Sequence, residues 1–333
     1  MGLTVRGALP DTGCRGLLVR LRANLGMAVA AMGVWLASGI AGVGQEARPT
    51  FRAGVSQVSL NVVVKDGRGR AIKNLAGSDF EIFDQGRIVQ LNDFRAGEEP
   101  VSLAILLDTS GSMGIAPRPA AAKQAFELLI AQFRPEDEAA LFTFDKRLKE
   151  IVSFSTDTAA LRQGFERVDP YGSTSLHDAV AAVARRLAGR PSSRRAVVAV
   201  TDGFDNASEL SAAAASGVAS ASDVPVYVLA IAKAGLPNDA HDIAVERIEG
   251  GGVARLDDLT GRTGGASFAA EAPAETSQAV RQILTDLRSG YVLGFAPHAV
   301  PGWHQLTVRV TRKDARVRTR AGFWMGPPEP PLR

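Results

Sequence analysis

Residues 101–114, V-S-L-A-I-L-L-D-T-S-G-S-M-G, pass from a continuous apolar run into a short loop of acidic and hydroxyl side chains. Such a run indicates a strand that is covered on both faces, as in a parallel sheet. Ligands of open α/β sheets bind beyond the carboxyl ends of the strands. Asp108, Ser110 and Ser112 therefore emerge where a binding site is expected, and their oxygens suit Mg²⁺ or Mn²⁺. The alternative is that the loop only caps a helix and forms a turn.

Two later stretches favour the binding site. D-P-Y-G-S-T-S-L at 169–176 places Thr174 in a loop, before a helix whose apolar positions recur at helical spacing. A-V-V-A-V-T-D-G at 196–203 indicates a second buried strand, which ends at Asp202. An Asp-x-Ser-x-Ser loop, a loop threonine and a strand-end aspartate together resemble the metal-ion-dependent adhesion site of von Willebrand factor A domains.

That resemblance implies a role for each residue. In the family, the two serines and the threonine supply hydroxyl oxygens, and the two aspartates act largely through bound water. One metal position stays open for the carboxylate of a partner. By this resemblance the roles fall on Ser110, Ser112, Thr174, Asp108 and Asp202. The expected cofactor is Mg²⁺ or Mn²⁺, and the expected partner is a protein with an exposed Asp or Glu.

Strand and helix patterns alternate through residues 100–289, which predicts a doubly wound, mostly parallel α/β sheet. Residues 52–99 and 290–324 carry the alternating pattern of β-strands instead, including a hairpin expected from 80–84 and 88–94. Neither flank has enough strand for a core of its own. The sequence therefore predicts a small β-sandwich built from both flanks, with the α/β domain inserted between them.

Several blocks of the chain are similar to those of the bacterial family of von Willebrand factor A-related proteins, over roughly residues 52–324. The blocks are V-V-V-K-D-G-R-G-R, L-A-G-S-D-F-E-I-F-D-Q-G, D-T-S-G-S-M, V-T-D-G-F-D-N, T-G-G and Y-V-L-G-F-A-P. One departure is P-R-P at 117–119, which is expected to delay the next helix and to leave the metal loop less tightly held.

Residues 1–46 are typical of a secretory signal peptide, because four arginines precede an apolar stretch at 25–43 that is rich in Gly and Ala. Cleavage is expected between Gly42 and Ala47. An uncleaved N-terminal anchor is the alternative, since the apolar stretch is almost long enough to span a bilayer, and only then is membrane association expected. Either way the sequence predicts an exported protein, periplasmic, on the cell surface or secreted.

Composition narrows the classes of partner. The single cysteine, Cys14, precedes the apolar stretch, so the exported chain would contain no thiol for disulfides or soft metals. The chain has 38 Lys and Arg against 35 Asp and Glu, and residues 1–44 hold four Arg and one Asp. The mature chain is therefore near neutral, which removes the charge argument for a nucleic-acid partner.

Two other functions compete with metal-dependent binding: a metal-assisted hydrolase, and an adaptor subunit of an ATPase or chelatase assembly. No Gly-x-Ser-x-Gly surrounds the serines, and the four histidines lack His-x-x-x-His spacing. His177 lies near Thr174, but a lone histidine at a helix start is more often a surface or packing residue. The hydrolase therefore lacks a general base or a nucleophile motif, and the leader argues against an intracellular adaptor.

Basic residues cluster near the C-terminus, and strand alternation places several of them on one face. They form either a patch for an anionic partner or an edge hairpin that charge keeps soluble. The members are Arg309, Arg312, Lys313, Arg316, Arg318 and Arg320. Residues 325–333 form a Pro-rich tail that is expected to be disordered.

Overall fold

The computed structural model describes residues 57–169, 172–231 and 256–326; the predicted signal peptide, and residues 327–333 of the predicted tail, lie outside these ranges. The helices are α1 (Arg118–Ile130), α2 (Thr158–Phe165), α3 (Leu176–Ala188), α4 (Ala212–Ala221), α5 (Leu256–Thr260) and α6 (Pro273–Ser289). The strands are β1 (Val58–Lys65), β2 (Phe80–Asp84), β3 (Arg87–Val89), β4 (Leu91–Arg95), β5 (Val101–Asp108), β6 (Glu138–Phe144), β7 (Leu148–Ser155), β8 (Arg194–Thr201), β9 (Val226–Ile231), β10 (Ala266–Ala270), β11 (Tyr291–Phe295), β12 (Gly302–Val310), β13 (Arg316–Arg318) and β14 (Gly322–Met325). Within the described ranges, no helix combines the length and the apolar character that a membrane crossing requires.

A central six-stranded sheet has the strand order β10-β9-β8-β5-β6-β7. All neighbours are parallel except β7, which runs antiparallel to β6. Every residue of β5 is buried, as its apolar run predicts. Because β5 and β8 are parallel, with Leu107 opposite Val200, the residues that follow them meet at one edge of the sheet.

Helices cover both faces of this sheet. Leu103 and Ile105 of β5 pack towards α1 and α6, whereas Ala104 and Leu106 pack towards α3 and α4. Successive side chains of a strand point to opposite faces, so a strand with two covered faces must be apolar throughout. The prediction of a doubly wound, mostly parallel α/β sheet is confirmed.

Strands from both flanks form two four-stranded sheets, with the orders β13-β1-β11-β4 and β14-β12-β2-β3. In the first sheet β1 lies between β11 and β13, and in the second β12 lies between β2 and β14. Leu60, Ile82 and Leu293 belong to one buried cluster that both sheets supply. The predicted sandwich from the two flanks is therefore present, with the α/β segment inserted between its strands.

One detail of the strand prediction was wrong. Residues 88–94 are not one arm of a hairpin, because β3 pairs with β2 whereas β4 pairs with β11 in the other sheet. Residues 316–324 are divided in the same way, since β13 pairs with β1 and β14 pairs with β12. Alternation shows which side of a strand is buried, but it does not show which sheet the strand joins.

Candidate metal centre

Asp108 ends β5 at the carboxyl edge of the central sheet, and its carboxylate is buried. Oδ1 accepts a hydrogen bond of 2.8 Å from the backbone N–H of Ser110, and Oδ2 accepts one of 2.5 Å from the hydroxyl of Thr201. Burial raises the pKa of Asp108 to about 6, and the charge of Asp202 acts in the same direction against these hydrogen bonds. The sheet thus brings two mutually repelling carboxylates to one edge, an arrangement that a cation would stabilise.

The loop after β5 brings the two serines together. The hydroxyl oxygens of Ser110 and Ser112 lie 3.0 Å apart. Thr109 anchors the start of this loop, because its backbone N–H and its hydroxyl both donate to the carbonyl of Phe144, at 2.9 Å and 3.0 Å. A short 3-10 turn, Gly111–Gly114, then holds the loop in a compact form.

Thr174 is buried in the loop that precedes α3. Its backbone N–H donates to Oδ1 of Asn206 at 2.9 Å, and its carbonyl accepts from the N–H of Asn206 at 3.0 Å. The same loop is tied to the serine loop, because Gly111 N–H donates to the carbonyl of Gly172 at 3.0 Å. Gly172 has φ +121°, and a Cβ there would lie 3.0 Å from Cβ of Asp145, so this approach requires glycine.

Asp202 follows β8 and is buried beside Arg118. Its Oδ2 has no hydrogen-bond donor among the described residues. Nη1 of Arg118 lies 3.3 Å from this Oδ2 and donates to the carbonyl of Ser112 at 2.9 Å. Arg118 therefore links Asp202 to the serine loop.

This set of donors fits a hard divalent cation held largely by neutral oxygens. Nowhere in the described part of the chain do three His, Cys, Asp or Glu side chains cluster as a metal site. A thiolate or imidazole centre is thus not formed by those residues. Oδ2 of Asp202 is buried without a hydrogen bond, so its lone pairs are available to a cation or to a water bound to one.

The structure brings Asp108, Ser110, Ser112 and Asp202 into one network of contacts and connects the Thr174 loop to it through Gly172. Sequence reasoning missed three residues of this network: Thr201, Asn206 and Arg118. Asn206 lies in the quoted block V-T-D-G-F-D-N and Arg118 in P-R-P, but their contacts depend on residues elsewhere in the chain. The expectation that P-R-P loosens the metal loop is not supported. α1 does begin late, at Arg118, yet this arginine binds back to the loop.

His177 does not face the metal loop. It is buried, and its Nδ1 lies 3.2 Å from both the carbonyl of Leu210 and Oδ2 of Asp205. Its backbone N–H also donates to Asp205, at 2.9 Å. These contacts make it a packing residue that orders the segment next to Thr174.

Six residues were predicted to form a basic patch, but two of them make contacts inside the protein. Arg320 is only 5% exposed, and its guanidinium donates to the carbonyls of Ser220 and Ser59. Arg318 forms an ion pair with the buried Asp286. Arg318 at the end of β13 and Arg320 just after it therefore both contact the α/β domain. The four exposed members are Arg309, Arg312, Lys313 and Arg316.

Residues 103–204 match the family model described as the von Willebrand factor type A domain. No curated protein gives a significant match to the chain. Among solved structures, an aerotolerance-related membrane protein of Bacteroides fragilis is 22% identical and aligns with a TM-score of 0.44, over 56% of this chain and 98% of that one. A von Willebrand factor type A protein of Catenulispora acidiphila is 14% identical with a TM-score of 0.46, over 82% and 75% of the two chains. Proximal thread matrix protein 1 of the mussel byssus, in a form with a zinc-occupied metal-ion-dependent adhesion motif, is 15% identical with a TM-score of 0.45, over 59% and 47%.

Proposed function

We propose that this chain, in which residues 103–204 match the von Willebrand factor type A domain, is an exported binding protein that presents Mg²⁺ or Mn²⁺ to a carboxylate of a protein partner. The proposed ligands are the five oxygen-bearing side chains Asp108, Ser110, Ser112, Thr174 and Asp202. The partner contributes an exposed Asp or Glu.

The observation that carries this proposal is the buried Oδ2 of Asp202, which lacks a hydrogen bond beside a loop of hydroxyl groups. A buried carboxylate normally has its oxygens satisfied, because desolvation without compensation is costly. A capping side chain accepts hydrogen bonds from backbone N–H groups, whereas Oδ2 of Asp202 accepts none and lies 3.3 Å from Nη1 of Arg118. The contacts at Asp202 therefore favour cation binding over a purely structural loop.

Each residue has a distinct task in the proposed site. Ser110, Ser112 and Thr174 supply neutral hydroxyl oxygens, while Asp108 and Asp202 supply the negative charge. Thr201 holds Asp108 in place, and Asn206 holds the backbone of Thr174. The bound ion would offer an open coordination position to the partner's carboxylate. Few charges surround the ion, so the affinity is expected to be weak, with a Kd of about 10⁻⁴ to 10⁻³ M.

Titration calorimetry tests the proposal. Mg²⁺ and Mn²⁺ are titrated into wild type, Asp202→Asn and Asp157→Asn. Asp157 is a matched control because it is the N-cap of α2, where its Oδ1 accepts from the N–H of Ala159 and Ala160, and asparagine preserves such a cap. Binding by wild type and the control, with loss in Asp202→Asn, is the expected result. Identical heats in all three proteins would show that the loop is a helix cap only.

Partner binding and export are tested separately. Wild type and Asp202→Asn are used as bait in an envelope extract of the producing cell, with and without chelator. The expected partner is retained by wild type alone, and only without chelator. N-terminal sequencing of protein from the same cells should give a start between Gly42 and Ala47. Recovery from the cytosol with an intact N-terminus would contradict export.

A further inference from the structure

Arg118, the first residue of α1, reaches back to the candidate metal centre. Its Nη1 donates to the carbonyl of Ser112 at 2.9 Å and lies 3.3 Å from Oδ2 of Asp202. The side chains of Arg118 and Asp202 are 15% and 1% exposed, so water screens this ion pair poorly. A fixed positive charge therefore lies against one of the proposed ligands.

The contact between the two side chains is incomplete. Oδ2 of Asp202 and Nε of Arg118 are both buried, and neither has a hydrogen-bond partner among the described residues. A bidentate arginine–carboxylate pair would join both carboxylate oxygens to two guanidinium nitrogens. The pair is thus held by charge and by the bond to Ser112, and the carboxylate oxygen keeps its capacity for another cation.

We propose that Arg118 sets the cation affinity of this site, because its guanidinium is the internal counter-ion of Asp202 that a divalent cation must displace or tolerate. This inference rests on the proposed function. Without a bound cation, Asp108 and Asp202 repel each other at one edge of the sheet, and Arg118 supplies the compensating charge. With a cation bound, the same guanidinium repels it. One residue therefore stabilises the cation-free protein and weakens cation binding.

The position of Arg118 allows this exchange. Its neighbours Pro117 and Pro119 are both exposed, so the start of α1 lies at the surface and the long side chain can turn towards water. Lysine at this position would keep the charge, whereas glutamine would remove it at similar length. The two substitutions separate the effect of charge from that of packing.

The experiment titrates Mn²⁺ into full-length wild type, Arg118→Gln, Arg118→Lys and Arg162→Gln. Arg162 is a matched control, because it pairs with Glu127 at the surface and makes no contact with the site. Removing one unit charge near the ion is expected to tighten Mn²⁺ binding about tenfold in Arg118→Gln. Arg118→Lys and Arg162→Gln are expected to bind as wild type does. Equal affinity of wild type and Arg118→Gln would overturn the inference while leaving the proposed function intact.

Two further readouts keep the inference testable if Arg118→Gln folds poorly. In wild type, the Nε–Hε resonance of Arg118, assigned by its loss in Arg118→Lys, is expected to shift as Mg²⁺ is added. A resonance that stays fixed while Mg²⁺ binds would overturn the inference. In chelator, Arg118→Gln is expected to melt at a lower temperature than wild type, and saturating Mn²⁺ should narrow that gap, as linkage requires. Absence of binding in both wild type and Arg118→Gln would overturn the proposed function and this inference together.

Discussion

Thr201 donates a hydrogen bond of 2.5 Å to Oδ2 of Asp108 across the neighbouring strands β8 and β5. Both residues are buried, and the same hydroxyl accepts from the N–H of Gly203 at 3.1 Å. This bond fixes the carboxylate that the serine loop surrounds. Because Asp202 follows Thr201 directly, the bond also connects the two strand ends that carry the proposed aspartate ligands.

Replacing Thr201 with valine should destabilise the cation-free protein by about 1–3 kcal/mol, because it leaves a buried carboxylate oxygen without its donor. Denaturant unfolding in chelator measures this change. Thr143→Val is the control, since Thr143 is also buried in the central sheet, on β6, and is not one of the proposed ligands or their hydrogen-bond donors. An equal loss of stability in both variants would assign the effect to the substitution itself, and not to the bond.

Removing Asp108 should weaken Mg²⁺ binding more than removing Ser112. Asp108→Ala takes away a negative charge beside a dication, whereas Ser112→Ala takes away one neutral donor. Calorimetric titration of the two variants, with Asp157→Asn as the distant control, gives the order of affinities. A greater loss of Mg²⁺ affinity in Ser112→Ala would mean that Asp108 stabilises the edge of the sheet and does not hold the ion.

Asn206→Ala should weaken cation binding although Asn206 is not a proposed ligand. The Oδ1 of Asn206 accepts a hydrogen bond of 2.9 Å from the backbone N–H of Thr174, so alanine removes one of the two bonds that hold the loop presenting the threonine hydroxyl. The comparison is Asn74→Ala, since Asn74 is exposed in the sandwich. A normal Kd for Asn206→Ala would show that the loop keeps its position without this bond.

A chain of residues 52–289 should lose the sandwich and keep the α/β domain. It lacks β11 and β13, which flank β1, and β12, which pairs with β2. Limited proteolysis should therefore cut residues 52–95 faster in this chain than in the full protein, while the fragment from residue 100 onwards persists. Equal protection of residues 52–95 in both chains would contradict the shared sheets.

Arg320→Ala should destabilise the protein by roughly 3–5 kcal/mol, because it breaks the ion pair between the buried Arg320 and Asp223, whose side chain is 12% exposed. The arginine also binds backbone carbonyls of both β1 and α4, so it joins the sandwich to the α/β domain. Arg316→Ala, at an exposed position of the same strand region, should change stability by less than about 0.5 kcal/mol. Thermal unfolding of the two variants would distinguish a structural arginine from a surface one.

The apolar pattern of the amino-acid sequence was sufficient to predict the sheet, and the resemblance to a known metal site supplied the five candidate ligands. The continuous apolar runs of β5 and β8 indicate buried parallel strands, and parallel strands place their carboxyl ends at one edge. Asp108 and Asp202 come at the ends of those runs, so a parallel sheet is sufficient to bring the two aspartates to the same edge. By contrast, α4 was not predicted, because its Ala-rich sequence A-A-A-A-S-G-V-A-S-A has little contrast between apolar and polar faces.

Only the tertiary structure decided which residues support the ligands. The bond from Thr201 to Asp108 joins residues 93 positions apart, and the contact of Arg118 with Asp202 depends on where α1 begins. Strand alternation also did not indicate that β3 and β4, or β13 and β14, belong to different sheets. The physical reason is that periodicity records the burial of each side chain along its own strand or helix. Periodicity does not show which residue from elsewhere in the chain will contact that buried side chain.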